Sequence, residues 1–296
     1  MTTTQEHLKT IREYASAADR PLTFMEVCGT HTMAAFRTGL RSLLPSNVNL
    51  VSGPGCPVCV TVDSYIDEAM ALAKKTDVIV ATFGDMLRVP GTEGSLQQAR
   101  TGGGDVRVVY SPSDALDLAK QCLDKDVVFL GVGFETTAPA VAWTIKNAAE
   151  ERIDNFFVLG AHKRVLPAMQ ALVADGQGNL DGFMCPGHVS VIIGADAYEP
   201  LSRDRGMPCV VTGFEASDMA EALALLLRQV REGRCETENQ YTRAVTAEGN
   251  PPAQAMLQEV FQRDDVPWRG LGTIPDSGLT IREEYARHDA RQRWPN

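Results

Sequence analysis

The 296-residue chain has no stretch approaching the roughly 18 consecutive apolar residues that a membrane-spanning helix requires; its longest apolar block is Ala222–Leu227. It is short of positive charge, with 28 Lys and Arg against 38 Asp and Glu, a net charge of −10 and a pI of about 5.0. Such a chain repels nucleic-acid phosphates and anionic lipid surfaces, so neither nucleic acid nor a membrane is expected as a partner. The N-terminal MTTTQEHLKT lacks the basic start and apolar core of an export signal, and the expected location is the cytoplasm. There is no internal repeat and no low-complexity tract. Structural disulfides are not expected in a reducing compartment. The seven cysteines, an odd number, therefore become candidates for metal or redox chemistry wherever they cluster.

What is present is ordinary globular composition, 44% apolar and 22% charged, which excludes a disordered tail, a collagen and a coiled coil. The length suggests about two domains. Short β-branched runs recur at Leu22–Val27, Asn49–Ser52, Asp77–Thr82, Val106–Tyr110, Asp126–Gly131, Phe156–Gly160 and Pro208–Gly213. Helical patterns lie between most of them, at Thr32–Leu44, Asp63–Lys75, Ser113–Leu123, Ala138–Glu150, Arg164–Ala174 and Ser217–Arg231, with Ser113 and Ser217 placed as N-caps. This alternation predicts an α/β fold with two Rossmann-like lobes, parallel sheets and a cleft between them. The expected division is 1–122, 123–231 and a shorter C-terminal segment, 232–296, that ends in an amphipathic stretch from Leu279 to Trp294.

Ligands of open α/β sheets bind beyond the carboxyl ends of the strands. The chemically distinctive residues of this chain fall at those positions. Cys28-Gly29-Thr30-His31 follows the first run, Gly53-Pro54-Gly55-Cys56-Pro57-Val58-Cys59 the second and Thr82-Phe83-Gly84-Asp85 the third. Gly133-Phe134-Glu135-Thr136-Thr137 follows the fifth and His162-Lys163 the sixth, while Cys185-Pro186-Gly187-His188 follows a short run at Gly182–Met184.

Cys56 and Cys59 can close a disulfide or share a metal. A helix expected from Asp63 would acidify a nearby thiol through its dipole. Their readings are a redox dithiol, a metal site or inert packing; a structural zinc site wants four ligands and there is no second Cys-x-x-Cys. Cys28, with His31 three residues on, reads either as a soft-metal thiolate or as a small buried hydrophobe. Cys185 and His188 repeat the pattern of sulfur, turn and imidazole. Glu135 and Thr136 offer a carboxylate and a hydroxyl at a helix entrance, or an ordinary acidic first turn, and Asp85 has the same two readings. Gly131-Val132-Gly133 begins a dinucleotide fingerprint that Thr136 breaks. Cys122, Cys209 and Cys235 read as structural, and His7 and His288 as solvated.

In combination, MEVCGTHT (Met25–Thr32), SGPGCPVCV (Ser52–Val60), TFGDMLRVPG (Thr82–Gly91), GFETTAPA (Gly133–Ala140), GFMCPGHVS (Gly182–Ser190) and ENQYTRAV (Glu238–Val245) resemble the HypD family of hydrogenase maturation proteins, from about Thr23 to Arg287. The resemblance implies a scaffold that works with the small protein HypC. On that scaffold the Fe(CN)2CO unit destined for the large-subunit precursor of [NiFe]-hydrogenase is assembled, with cyanide delivered by HypE. It implies that Cys28 holds the iron and that Cys56 and Cys59 form a redox-active dithiol. Beside such an iron, His31, Glu135, Thr136 and His188 are expected to hydrogen-bond the diatomic ligands or move protons, with Thr30, Asp85, His162 and Cys185 as supporting residues. The family also carries a [4Fe-4S] cluster on C-terminal cysteines. Only Cys235 lies beyond Cys209 here, so the cluster's ligands are expected to be absent. Two other classes fit the residues without the resemblance: a general thiol-disulfide oxidoreductase using the Cys56–Cys59 pair, and a zinc-stabilised interaction module.

Overall fold

The computed structural model describes residues 3–174 and 179–295. It divides into two compact units, each assembled from two stretches of chain: 1–56 with 165–251, and 57–164 with 252–296.

The first unit holds a parallel five-stranded sheet made of β1 (Leu22–Glu26), β2 (Val48–Ser52), β7 (Gly182–Pro186), β8 (Cys209–Thr212) and β9 (Thr237–Asn239), in the order β2-β1-β7-β8-β9. The second holds β3 (Val78–Thr82), β4 (Val106–Val108), β5 (Asp126–Gly133), β6 (Phe156–Lys163), β10 (Phe261–Trp268) and β11 (Gly272–Ile281), in the order β10-β11-β6-β5-β3-β4. Strands β6, β5, β3 and β4 are parallel, whereas β11 pairs antiparallel with both β6 and β10. In each unit the chain winds outward from a central strand to one side and then to the other, as a doubly wound sheet does. The point of reversal falls between β1 and β7 in the first unit and between β3 and β5 in the second. The expected α/β class with two Rossmann-like sheets is what is found.

Burial explains which residues make these strands. All but the first residue of β5 are buried, as in a parallel strand covered on both faces. β1 instead alternates, with Leu22, Phe24 and Glu26 pointing inward. The core of the first unit packs Leu22, Phe24, Met184 and Val210 against Leu8 and Ile11 of helix Thr4–Ser16 and Met219, Leu223 and Leu226 of helix Ala216–Glu232. In the second, Val78, Val80, Val128, Leu130 and Leu159 pack against Ile66 and Met70 of helix Asp63–Ala73.

Several expectations are displaced. The helix pattern Thr32–Leu44 is two helices, Gly29–Thr38 and Leu40–Leu43, because Gly39 sits at φ 66° and stops the first. The caps fall two residues early: Ser111 accepts the Asp114 N–H at 3.1 Å and leaves Pro112 at the first helical position, and Glu215 caps the helix that begins at Ala216. The contiguous division at 122/123 does not coincide with the units. It would part β3 from β5, with which it pairs from Val78 to Ala81, and β1 from β7. Residues beyond 232 are not a separate segment, since β9 completes one sheet and β10 and β11 extend the other. The stretch from Leu279 is not an amphipathic helix. Pairing of Leu279 with His162 keeps the chain extended to Ile281, after which only a 3-10 turn, Glu283–His288, and a short helix, Ala290–Arg293, follow. His288 is fully buried rather than solvated, and its Nδ1 donates to the Phe156 carbonyl at 2.9 Å. No helix among the described residues is long and apolar enough to cross a membrane.

Candidate functional site

In the first unit, β1 and β2 end side by side, Glu26 opposite Ser52, so the loops that leave them run together. The Gly29 N–H donates to the Gly55 carbonyl at 3.0 Å. Gly55 lies flat on the Cys28 backbone: a Cβ at that position would stand 2.2 Å from the Cys28 nitrogen and 2.5 Å from its Cα. A Cβ on Gly29 would lie 3.7 Å from the Cβ of Cys56. The Cys28 loop and the Gly53–Cys56 loop are thus one packed structure, and glycine at 55 is what allows it. Cys56 and Cys59 are disulfide-bonded.

Two helices begin close to the thiol loops. The helix after the Cys-Pro-Val-Cys pair begins at Asp63, as expected, and Cys28 is itself the N-cap of helix Gly29–Thr38. Burial pushes the Cys28 thiol up. Hydrogen bonding from the backbone of His31 and Thr30 and from the Thr30 side chain opposes that effect. The balance at this site favours the thiol.

His31 is buried behind Cys28. Its Nε2 donates to the Gly213 carbonyl at 2.9 Å, while Nδ1 has no hydrogen-bond partner among the described residues. Burial lowers its pKa to about 4, so the ring is neutral at physiological pH. His188, exposed at the start of helix Gly187–Ile193, stacks on Phe214 at 3.9 Å, and His31 stacks on the same ring at 4.7 Å. Phe214 in turn meets Tyr241 edge-on at 6.0 Å. Tyr241 closes over Gly187 and Gly213, where any Cβ would fall within 3 Å of its ring. The guanidinium of Arg243 covers the Tyr241 ring from 4.5 Å and is itself ion-paired to the buried Asp218. The structure brings Cys28, Thr30, His31, Cys56 and His188 into this one unit around the carboxyl ends of β1, β2, β7 and β8. Cys185 belongs to it only as core: it is fully buried within β7 beside Cys209, and burial pushes its thiol well up.

The other predicted residues belong to the second unit. Glu135 is buried after β5, and Thr136 is exposed just ahead of helix Ala138–Glu151. Asp85 is exposed in the turn after β3. His162 is buried, packed across Gly131, and neither ring nitrogen has a hydrogen-bond partner among the described residues; burial lowers its pKa to about 3. Beside it Lys163, also buried, is lowered by burial to about 8 and donates to the Pro267 carbonyl at 3.0 Å.

Among the described residues no three His, Cys, Asp or Glu side chains converge as a metal ligand set. Cys56 and Cys59 are bonded to each other, Cys185 and Cys209 are sealed between strands, and Cys235 is exposed, its sulfur against the Gly206 carbonyl at 3.1 Å. Among the described residues the cysteines do not fit a four-cysteine iron–sulfur cluster.

Sequence reasoning missed Glu26 and Phe214. Glu26 is an acidic residue in register with the inward-facing Leu22 and Phe24, so strand alternation alone marks it as a buried carboxylate. Phe214 follows β8, whose loop carries no sulfur or imidazole to attract notice.

Fold and site together define a doubly wound α/β protein whose thiol loops and paired imidazoles sit at the switch point of one sheet. Residues 2–296 match HypD, the hydrogenase formation hypA family. The chain is 48% identical over 289 residues to the hydrogenase maturation factor HypD of Azotobacter vinelandii, covering 95% of this chain and 76% of that protein. Against the Escherichia coli K12 factor of the same name it is 45% identical over 287 residues, covering 96% and 77%, and against that of Cupriavidus necator 47% over 279 residues, covering 92% and 74%. The chain belongs to the HypD family of hydrogenase maturation factors.

Proposed function

We propose that this chain, together with a HypC partner, is a scaffold on which the Fe(CN)2CO unit of [NiFe]-hydrogenase is assembled. In this reading Cys28 binds the incoming iron as a thiolate, and the partner supplies the second sulfur. Iron and its diatomic ligands are cargo, passed on to the hydrogenase precursor. Cyanide reaches the site as a thiocyanate-like group from HypE. Its transfer cleaves the S–CN bond and requires two electrons. The Cys56–Cys59 dithiol supplies them: RS–CN and two thiols give iron-bound cyanide, RS⁻, one disulfide and two protons. His31 and His188 provide hydrogen bonds and proton transfer to the anionic ligands.

The observation that supports this reading is the packing of Gly55 on Cys28, which sets the Cys28 thiol and one member of a disulfide in the same loop cluster. Thiolates suit the low-spin iron that cyanide creates. The test is anaerobic co-purification with HypC, read by infrared spectroscopy and metal analysis. Cys28→Ala is expected to lose the CN and CO stretching bands and the bound iron. Bands at full strength in that variant would remove Cys28 from the mechanism. Turnover of small disulfides by an iron-free preparation would instead favour a general oxidoreductase.

A further inference from the structure

The carboxylate of Glu26, the last residue of β1, has no exposure to solvent. A buried carboxylate is tolerated where hydrogen-bond donors surround it, and the donors here come from both thiol loops. Oε2 accepts the backbone N–H of Cys28 at 3.2 Å. Oε1 accepts the hydroxyl of Thr32, one turn into the helix that Cys28 caps, and the guanidinium of Arg41 at 3.4 Å. The same Arg41 nitrogen donates to the Ser52 hydroxyl at 2.7 Å, and the Glu26 carbonyl accepts the Gly53 N–H at 2.8 Å. One residue therefore holds the Cys28 backbone with one oxygen and the start of the Gly53–Cys56 loop through Arg41 and its own carbonyl.

We infer that Glu26 is a positioning residue that fixes Cys28 against the Gly53–Cys56 loop. Its bearing on the reaction rests on the reading above, in which Cys28 is the working thiol. Glu26 touches neither iron nor cyanide; it acts through the Cys28 backbone. Leucine at this position would fill similar volume but leave the Cys28 N–H, the Thr32 hydroxyl and Arg41 without their acceptor. Glutamine would keep a carbonyl oxygen for the Cys28 N–H.

Residue-resolved amide hydrogen exchange on the full chain tests this without any metal. In the native protein the Cys28 amide exchanges at least about tenfold more slowly than an unstructured amide, and Glu26→Leu removes that protection while leaving the Phe24 amide, inside β1, unchanged. Glu26→Gln restores protection at Cys28. A purely packing role predicts the opposite pattern, with leucine and glutamine alike or the whole strand loosened together. A native Cys28 amide that exchanges at the unstructured rate overturns the inference with no variant required. The functional arm uses the HypC complex, where Glu26→Leu is expected to lose most of the infrared CN and CO intensity and Glu26→Gln to recover it. If Cys28→Ala keeps those bands, the iron reading fails while the exchange result still stands; if Cys28→Ala loses them and both Glu26 variants match the native protein in exchange, the positioning role fails alone.

Discussion

At the scale of single residues, the chain places ionisable groups where water cannot reach them. His162 shows the consequence for stability. In the unfolded chain its imidazole titrates near its ordinary 6.5, whereas in the fold burial holds it at about 3. The unfolded state thus binds a proton that the folded state refuses. The stability contributed by the neutral ring is complete above pH 6.5 and falls, by about 1.4 kcal/mol per pH unit, as pH drops from 6.5 toward 3. His162→Phe should flatten the pH dependence of unfolding by one proton over that window. Urea unfolding at pH 7 and pH 4.5 measures it, and equal slopes for the variant and the native chain would show that His162 is not the group responsible. Not every buried residue was legible in advance. His288 reads as solvated because its neighbours are charged, yet it is sealed against Phe156.

At the scale of elements, the Cys28 loop and the Gly53–Cys56 loop pack backbone against backbone. Gly55 has no tolerance for a side chain because the atoms it would meet are backbone atoms of Val27 and Cys28, which cannot swing aside. Gly55→Ala is expected to cost about 1–3 kcal/mol of stability, as overpacking does, and to separate the loops. Thermal unfolding checks the first effect, and under the proposed function the infrared bands of the HypC complex check the second. An alanine variant with native stability and full band intensity would show that the loops need not touch. Strand identities were readable at this scale because β-branched runs and burial coincide, as in β3 and β5. The order of strands was not, because periodicity carries no information about neighbours. Gly39 could be read as a possible helix end only with its φ in hand, since the apolar pattern runs straight through it.

At the scale of the whole molecule, each unit is closed by a return of the chain. β3 and β4 need β5 and β6, and β1 and β2 need β7 and β8, so neither sheet is complete in the first 122 residues. A fragment of residues 1–122 should therefore not fold; its amide NMR spectrum is expected to show the narrow dispersion of an unfolded chain. A well-dispersed spectrum would mean that the first four strands are self-sufficient. The C-terminal residues are likewise structural members, with Arg291 paired to Glu68 at 3.0 Å and donating to the Gly160 carbonyl at 2.8 Å.

The sequence by itself determined the α/β class, most strand positions, and the motifs that carry the family likeness, because these depend on local periodicity and on residue chemistry at strand ends. Only the tertiary structure decided that Cys28 caps a helix beneath Gly55, that two imidazoles share Phe214, and that the chain builds each sheet from distant stretches. Those facts are pairings between residues far apart in the chain, and a pairing is fixed by which surfaces exclude water together, something no local pattern records.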